Sequence, residues 1–188
     1  MIVILFTRNF LGVHTPQDVL VGCIEGLLVF LLLSRFQGWI RQHPEKDKMV
    51  LLIGLAAVAA ALAYLCLKPY PVVYVEGELV ADPADMMHDG IKTCGAFAGM
   101  LSGWFLERRF VRFTTDCSGQ EKVMRAVTGI VLLLSGQVFL KKGMYAAAGR
   151  QTGGFLYGCA GILLVVFVIP LIHRALWNLI GNRKKGSV

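Results

Sequence analysis

Three polar residues close to the N-terminus have types and spacing suited to phosphoryl chemistry. His14 lies six positions after Arg8 and four positions before Asp18. A carboxylate four residues away across a helix start can accept one ring N–H of the histidine, which fixes the tautomer and leaves the other nitrogen as a nucleophile. The planar guanidinium of Arg8 offers several donors to a phosphate, and a helix N-terminus nearby favours an anion. The pattern therefore indicates nucleophilic attack on a phosphoryl group.

The same stretch is also typical of a helix start with no catalytic role. Thr15 suits the N-cap, Pro16 suits the first helical position, and Asp18 at the third position completes an arrangement like a capping box. Capping accounts for these three residues but leaves Arg8 and His14 unexplained. A catalytic site and a plain helix cap both remain open at this point.

The elements that must position these residues are membrane helices. Of the 188 residues, 56% are hydrophobic and 16% are charged, which is too apolar for a soluble domain of this length. Five apolar segments approach the roughly 20 residues needed for one crossing: residues 19–40, 49–67, 91–106, 127–140 and 154–175. The fourth is the shortest and could be re-entrant. We predict an all-α polytopic transmembrane helix bundle with about five spans, plus a partial N-terminal helix ending in MIVILF.

The charges between these segments predict an orientation. The loops after the first and third segments and the C-terminal tail are basic, whereas residues 68–92 are rich in acids. The positive-inside rule then makes the basic loops cytoplasmic and puts residues 7–18 on the extracytoplasmic side, although residues 141–153 carry three basic residues on that same side. The basic residues behind the net charge of +7 cluster between apolar segments, as they do in membrane proteins. We therefore expect membrane lipids and no nucleic acid as partners.

Small residues recur at helical spacing in two of the apolar segments. Gly95, Gly99 and Gly103 share one stripe, and Gly154 and Gly158 repeat the interval. In lipid, such stripes let helix backbones approach closely. We therefore predict tight helix packing at both places. The five cysteines lack metal-ligand spacing, so no metal site is expected.

Polar residues inside the apolar segments have two interpretations. Glu25 lies two turns after Asp18 on the face that also carries Gly22. It either lines a cavity for a substrate head group or makes an interhelical hydrogen bond, and the sequence leaves both open. Ser135 and Gln137 are predicted to form interhelical hydrogen bonds.

The opening segment resembles the third signature of the type 2 phosphatidic acid phosphatase and haloperoxidase superfamily, SRxxxxxHxxxD. Thr7 stands in place of the serine and keeps a hydroxyl. The neighbouring residues also agree with bacterial membrane members: Leu11, Gly12, Val13, Pro16, Val19 and Gly22. The resemblance implies that His14 is the nucleophile, that Asp18 orients it, and that Arg8 and Thr7 bind the phosphate. It further implies a lipid phosphate or diphosphate as the substrate, no metal or cofactor, and a bacterial plasma membrane as the location.

Two other signatures of the superfamily are missing from the sequence. Neither KxxxxxxRP nor PSGH occurs, and the second of these supplies the general acid. His43 and His173 fall in predicted cytoplasmic positions, and His88 is expected to be a surface histidine in the loop of residues 72–90.

The missing signatures normally precede the third, so we expect the C-terminal part of such a phosphatase, truncated or begun at an internal methionine. Residues 1–48 would be the end of the catalytic domain and residues 49–188 additional transmembrane helices. The stretch GIKTCGAFAGMLSGWFLERRFVRF is loosely similar to the C-terminal helices of larger bacterial members. Alone, the chain should be weakly active or inactive, and a missing N-terminal half or a homo-oligomer could complete it. The alternative is a non-catalytic membrane assembly or structural protein, and a transporter ranks third.

Overall fold

The structure is a computed structural model that describes residues 15–75, 78–114 and 117–176. It forms two compact units, Met1–Asp47 and Lys48–Val188, which are described separately below. Among the described residues, three helical stretches are long and apolar enough to cross a membrane: Pro16–Gln42, Pro44–Leu67 and Gly119–Leu176. The predicted all-α membrane bundle is confirmed.

The first unit contains helix α1, Pro16–Gln42, and its start is the predicted capping box. The Thr15 hydroxyl accepts a hydrogen bond from the Asp18 backbone N–H at 3.3 Å, and the Asp18 carboxylate accepts one from the Thr15 N–H at 3.0 Å. Pro16 occupies the first turn, where a missing N–H costs nothing. Large side chains such as Leu27 and Phe30 remain more than half exposed, which suits a helix surrounded by lipid.

The second unit begins with helix α2, Asp47–Leu67, which follows a short 3-10 turn at Pro44–Lys46. A short antiparallel hairpin follows it, with strand β1 at Val73–Val75 and strand β2 at Glu78–Ala81. The sequence did not predict these strands. Helix α3, Pro83–Leu106, comes directly after them and continues into a π-helical turn at Glu107–Val111.

Helix α3 starts earlier than its apolar segment predicts. Asp82 is the N-cap, with its side chain accepting from the Ala84 N–H at 2.8 Å, and Pro83 opens the first turn. The expectation of a loop through residue 90 is therefore wrong from Pro83 onward. Polar side chains here belong to a helix, which holds Asp89 and Lys92 three residues apart in an ion pair of 3.0 Å.

Helix α4 spans Gly119–Leu163 and folds back on itself at Gly149. After Leu163 it continues through a π-helical turn at Leu164–Val168 and remains helical to residue 176. Gly149 has φ 72° and ψ −171°, a backbone conformation that favours glycine. We call residues 119–148 the first arm and residues 150–176 the second arm. At about 1.5 Å per residue, each arm is roughly 40 Å long, which is enough to cross a bilayer. The fourth apolar segment is thus part of a continuous long helix.

Contacts across the turn show that the two arms are antiparallel. A Cβ added to Gly153 would lie 2.7 Å from the Met144 carbonyl oxygen, and one added to Gly129 would lie 3.8 Å from the Ile169 side chain. Residues earlier in the first arm therefore contact residues later in the second arm. The fourth and fifth predicted segments therefore form one helical hairpin.

Helix α3 packs in parallel along the second arm through the predicted glycine stripes. A side chain on Gly95 would overlap the carbonyl oxygen of Phe155, and one on Gly99 would overlap that of Cys159. The predicted close packing is confirmed, because the two backbones touch where these glycines lie. The buried residues of α3 follow the same face: Ile91, Cys94, Gly95, Ala98, Gly99 and Gly103.

The two ends of this helix pair are tied by arginines. Arg150, just after the turn, forms an ion pair with Asp85 in the first turns of α3. At the other end, Arg174 donates to the backbone carbonyl of Val111 at 2.9 Å and also to that of Phe110. Both carbonyls lie at the end of a helix, where backbone C=O groups lack intrahelical donors, and Arg174 donates to each of them.

Candidate functional site

The predicted phosphatase site lies only partly within the described structure. Thr7, Arg8 and His14 fall outside the described residues, so their geometry is not given. Asp18 and Glu25 are described, and both lie on the exposed surface of α1. The catalytic roles of His14 and Asp18, the phosphate-binding roles of Arg8 and Thr7, and the possible cavity role of Glu25 stay predictions.

Asp18 is held firmly at the start of α1. Its Oδ2 atom accepts hydrogen bonds from the Thr15 N–H at 3.0 Å and from the Thr15 hydroxyl at 2.8 Å. The carboxylate is therefore fixed in orientation, as a residue that positions a neighbouring histidine must be. Its capping role is confirmed.

The helix start leaves few backbone donors for an anion. Pro16 has no N–H, the Asp18 N–H donates to the Thr15 hydroxyl, and the Val19 N–H donates to the Thr15 carbonyl at 3.2 Å. In the first turn, as the structure describes it, Gln17 holds the remaining N–H. The expected contribution of the helix N-terminus to phosphate binding is therefore small.

Glu25 lies on an open face of α1. Neither Gly22 nor Gly26 has another atom within 4 Å of the position a Cβ would occupy. Within the first unit this face therefore leaves room beside the backbone. Both roles considered for Glu25, lining a cavity and pairing with another helix, stay open.

The second unit holds a polar cluster that the sequence did not predict: His88, Tyr145, Tyr157 and Gln137. The Nε2 atom of His88 lies 2.9 Å from the Tyr145 hydroxyl, and the Tyr157 hydroxyl donates to Gln137 Oε1 at 3.1 Å. The rings of Tyr145 and Tyr157 lie 6.1 Å apart between centroids. The cluster thus joins α3 to both arms of α4.

His88 is a packing residue and not the surface histidine that the sequence suggested. Its ring rests against Gly154, where a Cβ would lie 3.0 Å from His88 Nδ1. Nδ1 is buried without a hydrogen-bond partner in the described part of the chain. The favoured tautomer carries the proton on Nε2 and donates it to Tyr145, because a buried lone pair costs less than a buried N–H without an acceptor.

The helix assignment explains why sequence reasoning missed this cluster. His88 and Tyr145 are 57 residues apart, and their contact depends on α3 starting at Pro83. The available signal was the dipeptide Asp82-Pro83, which has the same N-cap pattern as Thr15-Pro16. Of the two predicted interhelical residues, Gln137 bonds across the hairpin as expected. Ser135 instead donates to the Val131 carbonyl of its own helix at 2.7 Å.

Neither unit contains an evident metal centre in its described part. No group of three or more histidine, cysteine, aspartate or glutamate side chains there is placed to hold an ion. Asp89 and Lys92, which follow His88 on α3, are paired with each other at 3.0 Å.

Part of the second unit is similar to a known protein family. Residues 91–181 match a protein-family model described as "PAP2 superfamily phosphatase, transmembrane extension". No curated protein and no solved structure matches the chain. The matched residues include most of α3 and both arms of α4. The matched range does not include the signature-like segment at residues 7–18. This membrane protein is therefore similar to the PAP2 superfamily over residues 91–181, the part that corresponds to the transmembrane extension of its phosphatases.

Proposed function

We propose that this protein contributes the phosphohistidine part of a lipid phosphatase active site. The observation that carries the proposal is the position of the family match. Residues 91–181 match the superfamily, while the RxxxxxHxxxD pattern lies outside that range. Two separate parts of the chain therefore indicate the same superfamily. In this proposal residues 1–48 end the catalytic domain and residues 49–188 are the transmembrane extension.

Each proposed site residue has one chemical task. A ring nitrogen of His14 attacks the phosphorus of a lipid phosphate or diphosphate, a P–N bond forms, and the bond from phosphorus to the leaving oxygen breaks. Asp18 accepts the other ring N–H and stabilises the positive charge that develops on the imidazole. Arg8 and the Thr7 hydroxyl bind the phosphoryl oxygens. Water then cleaves the P–N bond, which releases phosphate and restores His14.

The reaction also needs groups that this sequence does not contain. The leaving oxygen must receive a proton, and the superfamily takes it from the histidine of PSGH. General acid catalysis contributes about 10²–10⁴ in rate. The proposal therefore includes a second segment, in the same polypeptide or another one, that carries the first and second signatures. We place residues 7–18 on the extracytoplasmic side of a bacterial plasma membrane, where lipid head groups are accessible.

Phosphate release from phosphatidate and from an isoprenoid diphosphate tests the proposal. Membranes that contain this chain together with a segment bearing KxxxxxxRP and PSGH should release phosphate, and His14→Ala should abolish the release. Arg8→Ala should lower it by about 10²–10³, the effect of losing one donor to the developing charge. His43→Ala is the matched control, since His43 lies at the other end of α1 with its Nδ1 2.9 Å from the Trp39 carbonyl. The chain alone should give little release.

Two results would contradict the proposal. Release that is insensitive to both His14→Ala and Arg8→Ala would show that the signature residues are not the site. Strong release by the chain alone, lost in His14→Ala, would show that the missing signatures are not required.

The capping box favours a second candidate, a non-catalytic membrane assembly protein. Thr15 and Asp18 form a complete capping box at the start of α1. Asp18→Asn separates the candidates, because an amide oxygen still accepts the capping bonds but cannot stabilise an imidazolium as a carboxylate does. Lost phosphate release at unchanged stability supports the phosphatase. Full release in this variant supports the assembly role.

A further inference from the structure

A cavity of about 360 Å³ lies between α3 and both arms of α4, beside the polar cluster. This volume falls in the range of small-molecule sites, which also occur between the helices of bundles. All its lining residues belong to the second unit. The cavity is open on one side, and several lining residues, such as Gln137 and Val165, are exposed on the apolar surface of the hairpin. A lipid can therefore enter it from the side.

The cavity has a polar end and an apolar end. Lys92, Gln137 and Tyr157 line it at one level, as shown by the Tyr157–Gln137 hydrogen bond and by the backbone contact between Gly158 and Lys92. One turn from Gln137 along the first arm lies Leu133. The first arm is antiparallel to the second, so Leu133 lies in the direction of Ile162 and Val165.

Those apolar residues extend the same stripe of the second arm. Gly158, Ile162 and Val165 are separated by four and three positions, and they line one wall of the cavity. At about 1.5 Å per residue, the wall from Gly158 to Val165 is roughly 10 Å long. That length accommodates several methylene groups of an acyl chain.

The polar end carries donors for an anion. The Lys92 ammonium has three N–H groups and gives one to Asp89, so it can donate to a ligand as well. The Gln137 amide nitrogen supplies two more donors, because it is the amide oxygen that accepts from Tyr157. Asp89, the acid nearest to Lys92, is not part of the lining, and its side chain is 70% exposed.

Small residues keep the middle of the cavity open. A Cβ added to Gly161 would have no other atom within 4 Å. Ala96 forms the facing wall on α3. An apolar space of this size left empty would forfeit dispersion contacts along its whole lining.

We propose that this cavity binds one membrane phospholipid with an anionic phosphate head group. The phosphate lies against Lys92 and Gln137, and one acyl chain lies along Leu133, Ile162 and Val165. The lining residues that the structure describes all lie in the second unit, and the proposal does not depend on the proposed phosphatase activity. This site makes the transmembrane extension a lipid-binding module.

Lipid binding to the full chain in nanodiscs, measured by native mass spectrometry, tests the proposal. The probes are phosphatidate and phosphatidylcholine with the same acyl chains. All proteins carry Arg8→Ala, so that the proposed phosphate-binding residue of the phosphatase site does not contribute. One phosphatidate should bind about tenfold more tightly than phosphatidylcholine, because its phosphomonoester has a further anionic oxygen and no choline ammonium to offset the charge, and a hydrogen bond to a charged group contributes about one such factor. Excess inorganic phosphate should not displace it, because the acyl chain supplies part of the affinity.

Two pairs of variants locate the site. Gly161→Leu fills the cavity and should abolish the tight phosphatidate binding, whereas Gly143→Leu, also in open space but on another part of the hairpin, should not. Lys92→Gln should remove the preference for phosphatidate, and Lys141→Gln, an exposed lysine on the first arm, should keep it. An unchanged thermal unfolding profile shows that each variant is folded. Retained tight binding in folded Gly161→Leu overturns the site. Equal affinity for both lipids in the unsubstituted cavity, or displacement by inorganic phosphate, overturns the anionic phospholipid as the ligand.

Discussion

Replacing Gly99 by alanine should destabilise the contact between α3 and the second arm. The added methyl group would overlap the carbonyl oxygen of Cys159, which is backbone and cannot rotate aside. The helices must separate or bend, and overpacking of this kind costs about 1–3 kcal/mol. Alanine also gains up to about 1 kcal/mol of helix propensity over glycine. With the full propensity gain subtracted, the net loss of unfolding free energy should be up to about 2 kcal/mol.

Gly143→Ala provides the matched control for this substitution. Gly143 is helical, belongs to the first arm, and has no other atom within 4 Å of an added Cβ. The same change of residue type should therefore leave stability unchanged or raise it. Only Gly99→Ala should lower the unfolding free energy, and this difference excludes a general effect of alanine.

The assay is reversible unfolding of the purified protein in mixed micelles with increasing sodium dodecyl sulfate, followed by circular dichroism. Gly99→Ala should unfold at a lower detergent fraction than the parent protein, and Gly143→Ala at the same fraction or a higher one. If the two variants unfold together, the close backbone approach at Gly99 does not contribute to stability, and the packing argument fails.

Two further substitutions test the ends of the helices. Arg174→Ala should lower the unfolding free energy by about 1–3 kcal/mol, because the carbonyls of Phe110 and Val111 lose their donor. The same unfolding assay checks this, with Arg174→Lys expected to recover part of the loss, and an Arg174→Ala protein as stable as the parent would contradict it. Thr15→Ala should remove the N-cap of α1 at a cost of about 1 kcal/mol. Backbone amide hydrogen exchange should then quicken in the first turn of α1, while Thr15→Ser stays protected, and equal protection in both would refute the capping role.

The start of α1 and the packing of α3 could be predicted because each depends on local pattern. Thr15, Pro16 and Asp18 define a helix start by themselves. The stripe of Gly95 and Gly99 identifies a face for close packing without saying which helix it meets. The apolar segments likewise predicted the three helical stretches that, among the described residues, are long and apolar enough to cross a membrane, whereas the third segment, in α3, is not among them.

The features that could not be predicted from the sequence depend on contacts between distant residues. The acids of residues 72–90 favoured a surface loop, yet Asp82 and Pro83 begin a helix there. Because that helix runs beside the second arm, it brings His88 to Tyr145. The cavity depends on the same arrangement, since its walls come from three helical stretches. Its middle stays open because the side chains there are small. The periodicity of residues within one segment does not show which three helices pack against one another.

The parallel arrangement of α3 and the second arm has a consequence for biogenesis. Two parallel helices that follow each other along a chain need an intervening antiparallel stretch, and here the first arm supplies it. The glycine contacts of α3 can therefore form only after synthesis has passed Gly149 and the second arm has entered the bilayer. Membrane helices insert first and associate afterwards. A substitution such as Gly99→Ala should thus leave insertion intact and act at the last association step, which leaves α3 exposed to quality-control proteases in the newly made protein.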